Sequence, residues 1–394
     1  MRVAVVSKTN YSFVVEQACK LAQQHVKVHI LNQALKTVGE CRDMRFYGVK
    51  PELCLKLLPL TLRQAFAQRH PLGATKLLSS LWNMVYARSV SEIVLEQSLD
   101  IIHAHFAWVE GHVGLMAART TGRPLVVTLH GYDVLTEPQI GYGARLCKET
   151  DLAVREVLRH ADAIICVSSA LRREAVRSDA KIEKVHLIHD GVDLDRFNPD
   201  TEDRSLRARY GVEDRFTIFA LRHHEAKYGI EYLIRAVPRV MKEVGDAFFI
   251  IGGDGSLRKR HEQLAHRLRV QGSVKFTGRI PRRLVPSYYL ASDVVVAPSL
   301  QEGFGLTIAE AMACGKPVIG TKVGGIPDQI VEGVNGFMVQ PRDPNAIADR
   351  IVYLAQHRSE ASEMGRKGRG IAERKFDLTS KIGQLLRVYE SIMR

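Results

Sequence analysis

Two α/β domains, each a doubly wound, Rossmann-like parallel layer, followed by a C-terminal helix, are the fold this sequence predicts. Three observations predict it. At 394 residues the chain exceeds what one hydrophobic core normally holds, so two domains of roughly 150–200 residues are expected. Short apolar runs alternate with helical patterns, the signature of parallel strands joined by crossover helices. A polar stretch punctuated by Gly and Pro, Asp190-Gly-Val-Asp-Leu-Asp-Arg-Phe-Asn-Pro199, separates two series of such runs and reads as a linker.

The first series of strands falls at residues 3–6, 26–31, 101–105, 125–129, 163–167 and 185–188, and the second at 216–220, 247–251, 274–276, 293–297, 317–320 and 337–339. Each is a short apolar run of the kind a sheet covered on both faces requires. At the end of the chain Ile382, Leu385, Leu386, Tyr389 and Ile392 recur at helical spacing and define an amphipathic helix. The expected boundaries are 1–195, 196–375 and 376–394. Two doubly wound domains facing each other place a ligand in the cleft between them, beyond the carboxyl ends of the strands.

Composition narrows the partners. No run approaches the roughly 18 apolar residues of a membrane helix, and Val3-Ala-Val-Val6 is too short for the apolar region of a signal peptide. A cytoplasmic protein is expected. The six cysteines carry no Cys-x-x-Cys spacing, so neither a disulfide nor a structural metal is expected. The formal charge is +13, and no acid occurs between Glu52 and Glu92, where Lys56, Arg63, Arg69, Lys76 and Arg88 lie among leucines and aromatics. That stretch reads as basic amphipathic helix broken at Pro59 and Pro71. It suits peripheral contact with an anionic membrane on the inner face of the cytoplasmic membrane, or equally a solvated helical face over an apolar interior. No nucleic-acid-binding module is present, and nucleic acid is not an expected partner.

The chemistry concentrates at strand ends in the second half. After the Val294-Val-Val296 strand, Gly303 and Gly305 allow close backbone approach, and the helix from about Leu306 offers free N–H groups to an anion. Glu302 and Glu310 flank this turn. A carboxylate is an acceptor-only group able to take two neighbouring hydroxyls, so one suits a sugar ring and the other a ribose. Arg222 and Lys227 follow an earlier strand, and two cations in a strand-to-helix loop neutralise a diphosphate, Arg as a planar fork and Lys as a point charge. Gly252-Gly-Asp-Gly255 follows another strand.

Taken together, Arg222-x4-Lys227, Gly252-Gly-Asp-Gly-Ser256, Phe276-Thr-Gly-Arg279, Pro298-Ser-x2-Glu-Gly-Phe-Gly-Leu306, Glu310-Ala-Met-Ala-x-Gly-x-Pro-Val-Ile319 and Val323-Gly-Gly-Ile-Pro327 resemble the GT-B-fold retaining glycosyltransferases of family 4. The likeness continues upstream in Asp100-Ile-Ile-His-Ala-His-Phe106, Val127-Thr-Leu-His-Gly-Tyr-Asp133 and Gly191-Val-Asp-x2-Arg-Phe-x-Pro199. It implies an acceptor-side domain over 1–195, a nucleotide-sugar donor domain over 196–375 and a helix over 376–394 packing back toward the first domain.

The resemblance further implies that Arg222 and Lys227 hold the donor diphosphate, that Glu310 binds the ribose and that Glu302 contacts the donor sugar. Gly252, Gly303 and the backbone of Phe304, Gly305 and Leu306 would line the sugar and phosphates, Arg279 would read the base through its backbone, and His130 would face the transferred sugar. The implied reaction moves a hexose from a nucleotide diphosphate, UDP first and GDP-mannose second, to an acceptor hydroxyl with retention. Negative charge grows on the diphosphate as the bond breaks, so the two cations stabilise the transition state more than the ground state, and no metal or other cofactor is required. Asp193-Leu-Asp195 matches Asp-x-Asp but falls in the linker and resembles the family's inter-domain turn.

One departure from the family is Ser7-Lys-Thr-Asn10, which stands where a Gly-Gly turn is common. On the acceptor side Asn10, Asp133 and His105, the strand-end member of the His103/His105 pair, are the candidates. The overall pattern looks most like bacterial enzymes of exopolysaccharide or surface-polysaccharide assembly, which implies a lipid-linked saccharide acceptor. A soluble small acceptor, and a sugar-nucleotide epimerase or binding protein that has kept the same pocket, are the alternatives.

Overall fold

The computed structural model describes residues 1–7, 11–32, 39–41, 44–48, 72–200 and 205–393. The chain forms two compact units, one of Met1–Val167, Leu171–Ile188 and Ile382–Arg394, the other of Ser168–Ala170 and His189–Lys381.

In the first unit the strands are β1 (Arg2–Ser7), β2 (Lys27–Asn32), β3 (Gly39–Cys41), β4 (Met44–Gly48), β5 (Ile101–His105), β6 (Leu125–Leu129), β7 (Ala163–Cys166) and β8 (Val185–Leu187). Among the described residues they form one sheet in the order β3-β4-β2-β1-β5-β6-β7-β8. Among the described residues of this sheet, the β3–β4 pairing alone is antiparallel. Strands β3 and β4 carry no apolar run of the kind that marks the others, which is why the hydrophobic pattern does not announce them. The chain leaves β1 for β2 on one side and later returns to β5 on the other, so β1 and β5 bound a topological switch point, the place where ligands meet such sheets. All five residues of β5 are buried, both histidines included.

The second unit holds β9 (Thr217–Leu221), β10 (Phe248–Gly252), β11 (Val274–Gly278), β12 (Val294–Ala297), β13 (Val318–Thr321) and β14 (Gly336–Val339). They form an all-parallel sheet in the order β11-β10-β9-β12-β13-β14. Each coincides with one of the apolar runs of the sequence. The order reverses between β9 and β12, so the loops that leave these two neighbours diverge and open a crevice. Arg222 follows the first and Pro298 to Glu302 the second.

Helices cover the sheets by the expected periodicity. Ile230–Glu243 buries Ile230, Leu233, Ile234, Val237 and Val240, three to four residues apart, and packs against Pro344–Gln356. Truncating any one of these to Ala would cost roughly 2–5 kcal/mol for the larger side chains. The eight-residue helix Leu306–Ala313 is buried over Ile308, Ala309, Glu310, Ala311, Met312 and Ala313, so its single acid lies inside. The C-terminal helix Leu378–Ile392 contributes Tyr389, fully buried in the first unit. A helix begins at Leu72, directly after Pro71, and runs to Glu96; the basic stretch from Leu53 to Pro71, with Pro59, lies outside the described residues. No helix among the described residues is long and apolar enough to cross a membrane.

Candidate functional site

The crevice between β9 and β12 brings Arg222 and Glu302 together. Arg222 is only 6% exposed, and Glu302 only 9%. Arg222 Nη2 lies 3.7 Å from Glu302 Oε2, close enough for an ion pair and too long for a hydrogen bond. Nη1 of Arg222 donates to the hydroxyl of Thr307 in the first turn of the helix Leu306–Ala313. Nε and Nη2 of Arg222 are buried without a hydrogen-bond partner. Ser299 Oγ donates to Glu302 Oε2 at 3.2 Å.

Lys227 is drawn to the same crevice by its backbone, whose carbonyl accepts the N–H of Leu300 at 2.7 Å and of Gln301 at 3.3 Å. This ties the loop after β9 to the loop after β12. The ring of Tyr228 stands beside both cations, 4.6 Å from Lys227 Nζ and 5.9 Å from the Arg222 guanidinium carbon. It carries the face of an aromatic to two like charges and so eases their proximity.

The glycine loop after β10 braces Arg222 from the other side. Arg222 N–H donates to Gly252 O at 3.0 Å, Gly253 N–H to Gly278 O at 2.8 Å and His224 N–H to Asp254 O at 3.0 Å, which stitches the ends of β9, β10 and β11. Gly253 sits at φ +118°, and a Cβ there would fall 1.9 Å from the carbonyl oxygen of Arg222. No side chain fits this approach. Arg279, next to Gly278, is exposed.

After β12 the chain turns through Gly303 and the buried Phe304 to Gly305 at φ +95°, from which the helix Leu306–Ala313 begins. The buried Gln329 holds this turn by donating its amide to Phe304 O, with Gly305 O at 3.4 Å. One turn into the helix, Glu310 is 1% exposed. Its Oε1 takes Arg282 Nη1 at 2.5 Å and its Oε2 takes the hydroxyl of Tyr289 at 2.9 Å. The Arg282 guanidinium also stands over the ring of Phe197 at 4.9 Å. Burial, and then the adjacent Glu310 charge, push the Tyr289 hydroxyl far above its ordinary value, so it remains a donor.

In the first unit, His105 at the end of β5 and His130 after β6 meet: His105 Nδ1 and His130 Nε2 share one proton at 2.9 Å. The ring of His103 lies 4.6 Å from that of His105, as residues two apart on one strand must. His103 in turn is held by Thr128 Oγ1 on Nε2 at 2.7 Å and by the Tyr389 hydroxyl on Nδ1 at 2.6 Å. Phe13 and Phe106 flank His130 at 4.7 and 4.8 Å. Burial lowers all three histidines, His105 to about 3, so each is a neutral imidazole at pH 7. Asp133 is fully buried, its carboxyl raised mainly by desolvation, and it accepts the N–H groups of Ala107 at 2.9 Å, Gly131 at 2.8 Å and His130 at 3.3 Å. It therefore fastens the His130 loop rather than presenting a free carboxylate. Asn10, with Lys8 beside it, lies outside the described residues.

Thr307, Tyr228, Gln329, Arg282 and Tyr289 were not legible as site residues. Arg282 and Tyr289 lie 28 and 21 residues from Glu310 in the chain, and no local spacing joins them to it. Thr307 alone carried a signal, a hydroxyl in the first turn of the helix that the glycines open. Asp193 Oδ1 accepts the N–H groups of Asp195 and Arg196, both at 3.2 Å, as a turn residue does. Among the described residues no group of three His, Cys, Asp or Glu side chains is arranged to hold a metal ion.

Residues 12–196 match the family model described as Glycosyltransferase Family 4, and residues 202–370 the model described as Glycosyl transferases group 1. D-inositol 3-phosphate glycosyltransferase of Streptomyces avermitilis is 32% identical over 292 residues, which span 70% of this chain and 61% of that protein. GDP-mannose-dependent alpha-(1-6)-phosphatidylinositol monomannoside mannosyltransferase of Mycolicibacterium smegmatis is 30% identical over 291 residues, 72% of this chain and 74% of that protein. The solved structure of Anabaena Alr3699/HepE in complex with UDP-glucose is similar in fold, with a TM-score of 0.78 and 20% identity over 99% of this chain and 100% of that one. The chain belongs to the GT-B glycosyltransferases of the family 4 type.

Proposed function

We propose that the protein is a retaining, metal-independent hexosyltransferase that moves a hexose from a nucleotide diphosphate sugar to an acceptor hydroxyl. The observation that carries the proposal is the buried guanidinium of Arg222, whose Nε and Nη2 have no hydrogen-bond partner at the switch point of a parallel sheet. Buried donors are normally satisfied, and an anion in this crevice would satisfy them. Lys227 and the first turn of the helix Leu306–Ala313 add positive potential to the same place.

The steps follow from charge. Arg222 and Lys227 bind the diphosphate and stabilise it further as it leaves with the electron pair of the glycosidic bond. Glu302 receives hydroxyls of the hexose, and Glu310 those of the ribose. The acceptor oxygen attacks the anomeric carbon from the face the leaving group vacates, and its proton passes to a donor phosphate oxygen. No enzymic nucleophile is assigned. His130, neutral and hydrogen-bonded to His105, is the first-unit group proposed to hold the transferred sugar.

Uridine and guanosine donors are the two candidates, the second supported by the name of the mycolicibacterial relative. The acceptor is proposed to be a lipid-linked saccharide, handled at the inner face of a membrane by the basic stretch that includes Lys76 and Arg88. The name of the Streptomyces relative favours a second reading, a soluble polyol phosphate acceptor.

The test is transfer in EDTA from UDP- and GDP-hexoses to lipid-linked and soluble acceptors, with the product anomer read by NMR. Acceptor-dependent release of nucleoside diphosphate with retained configuration is expected. Interconversion of the free donor sugar without acceptor, or an absolute need for a divalent metal, would contradict the proposal.

A further inference from the structure

Burial alternates along the loop that carries Arg222 and Lys227: Arg222 and His224 lie inside, His223 and Glu225 outside. The backbone of this loop is fastened to the segment after β10. His224 N–H donates to Asp254 O at 3.0 Å, and His224 O accepts the N–H of Leu257 at 2.9 Å. On the outside, Ser256 N–H and Oγ both donate to the exposed Glu225 carboxylate at 2.9 Å, where water competes. On the inside, His224 Nδ1 meets His261 Nδ1 at 2.9 Å, and His261 stands in the first turn of the helix Arg258–Arg267.

Both rings are buried, His224 completely and His261 to 2% exposure. Two Nδ1 atoms at this distance share one proton, one ring donating and the other accepting. Burial lowers the pKa of both, His261 to about 4, so the pair is neutral at pH 7. Arg258 and His223 add to the effect on His224 while Asp254 and Glu262 oppose it; His224 and Arg260 add to the effect on His261. His224 Nε2 is buried without a hydrogen-bond partner. The ring's polar engagement therefore rests on its bond to His261, and without that bond both of its nitrogens would be buried unpaired. Phe276, 5.9 Å from the His224 ring, offers an aromatic wall but no replacement acceptor or donor of that strength.

We infer that His224 and His261 are the positioning pair of the diphosphate loop: their shared proton pins the segment between Arg222 and Lys227 to the helix Arg258–Arg267 and so presets both cations for an anion. Arg222 lies two residues before His224 and Lys227 three after it, so a His224 ring expelled toward water displaces the loop that holds both. A loop released in this way must be ordered again when the anion binds, which costs affinity.

The inference rests on the reading of this crevice as a diphosphate site, and the experiment separates the two. Binding of inorganic pyrophosphate, UDP and GDP to the full chain is measured by calorimetry near neutral pH for the wild type, His261→Leu, His261→Asn and Leu264→Ala. Asn branches at the same γ carbon as imidazole and returns a polar partner at the Nδ1 position, whereas Leu returns none. Leu264→Ala weakens the packing of the same helix without touching the pair. The Leu variant is expected to bind pyrophosphate about tenfold more weakly, and the Asn variant within about threefold of the wild type. Leu264→Ala is expected to melt at lower temperature with its pyrophosphate affinity unchanged. Should His261→Leu not fold, His261→Gln, whose amide lies one bond farther from the backbone, replaces it with the same expected loss. Wild-type affinity in the variant that lacks the Nδ1 partner, an equal loss in His261→Asn, or an equal loss in Leu264→Ala would overturn the assignment. A wild type that binds neither pyrophosphate nor a nucleoside diphosphate would remove the diphosphate reading of the crevice, and this assignment with it.

Discussion

Arg222 and Glu302 face each other 3.7 Å apart at the ends of neighbouring strands, with side chains only 4% and 11% exposed. Neither charge is screened by water, so each depends on the other more than a surface pair would. Glu302→Ala leaves the guanidinium uncompensated and is expected to lower unfolding free energy by about 3 kcal/mol. Added pyrophosphate should restore more stability to this variant than to the wild type, because the anion replaces the missing charge. Urea unfolding with and without pyrophosphate checks it; equal stabilisation of both proteins would mean that the anion binds elsewhere.

Gly253→Ala should be among the most damaging single-methyl additions in the second unit. The new Cβ would fall 1.9 Å from Arg222 O at a backbone φ of +118°. Strain of this kind costs of order 1–3 kcal/mol, and the loop that carries Arg222 must shift to relieve it. Loss of pyrophosphate affinity together with lower stability is the expected pair of readouts.

Three neutral, buried histidines make the first unit sensitive to acid. Their pKa values are depressed in the folded state by burial, His105 to about 3, against an ordinary value of 6.5. Below 6.5 the unfolded chain binds protons that the folded one refuses. The stability is therefore complete above about pH 6.5 and declines as pH falls toward 3, by about 1.4 kcal/mol per pH unit for each such group. Replacing His105 by Asn removes one group and should give a shallower loss of stability between pH 6 and pH 4, ~1.4 kcal/mol less per unit at most. An unaltered slope would show that His105 is already charged in the native protein.

Tyr389→Phe removes the hydroxyl that contacts His103 Nδ1 at 2.6 Å and leaves a fully buried ring nitrogen without that partner. The expected cost is about 1–3 kcal/mol. Pyrophosphate and nucleotide binding, which rest on the second unit, should not change. A large loss of nucleotide affinity in this variant would place the histidine cluster within the donor site.

How much of this was legible follows from which forces act locally. The runs at 216–220 and 293–297 predicted β9 and β12 because a sheet covered on both faces imposes continuous apolar strands. Arg222 and Glu302 were legible as neighbours because strand ends carry them to the switch point by topology alone. Arg282 and Tyr289 were not, since their partnership with Glu310 depends on three segments folding together, and an arginine beside Arg283 in sequence gives no hint of it. Asp133 shows what a motif leaves out. Its place in a His-Gly-Tyr-Asp motif suggests contact with substrate, yet its oxygens are taken by the N–H groups of Ala107, Gly131 and His130. Strands β3 and β4 were missed because both are short, β3 is an edge strand of three residues, and neither carries a continuous apolar run.

The most direct test of the donor-site account is thermal stabilisation in EDTA across UDP-, GDP-, ADP- and dTDP-sugars, comparing the wild type with an Arg222→Ala/Lys227→Ala double variant. The account predicts a selective shift with one nucleotide family in the wild type and none in the double variant. An equal shift in both proteins, or none with any nucleotide sugar in the wild type, would contradict it.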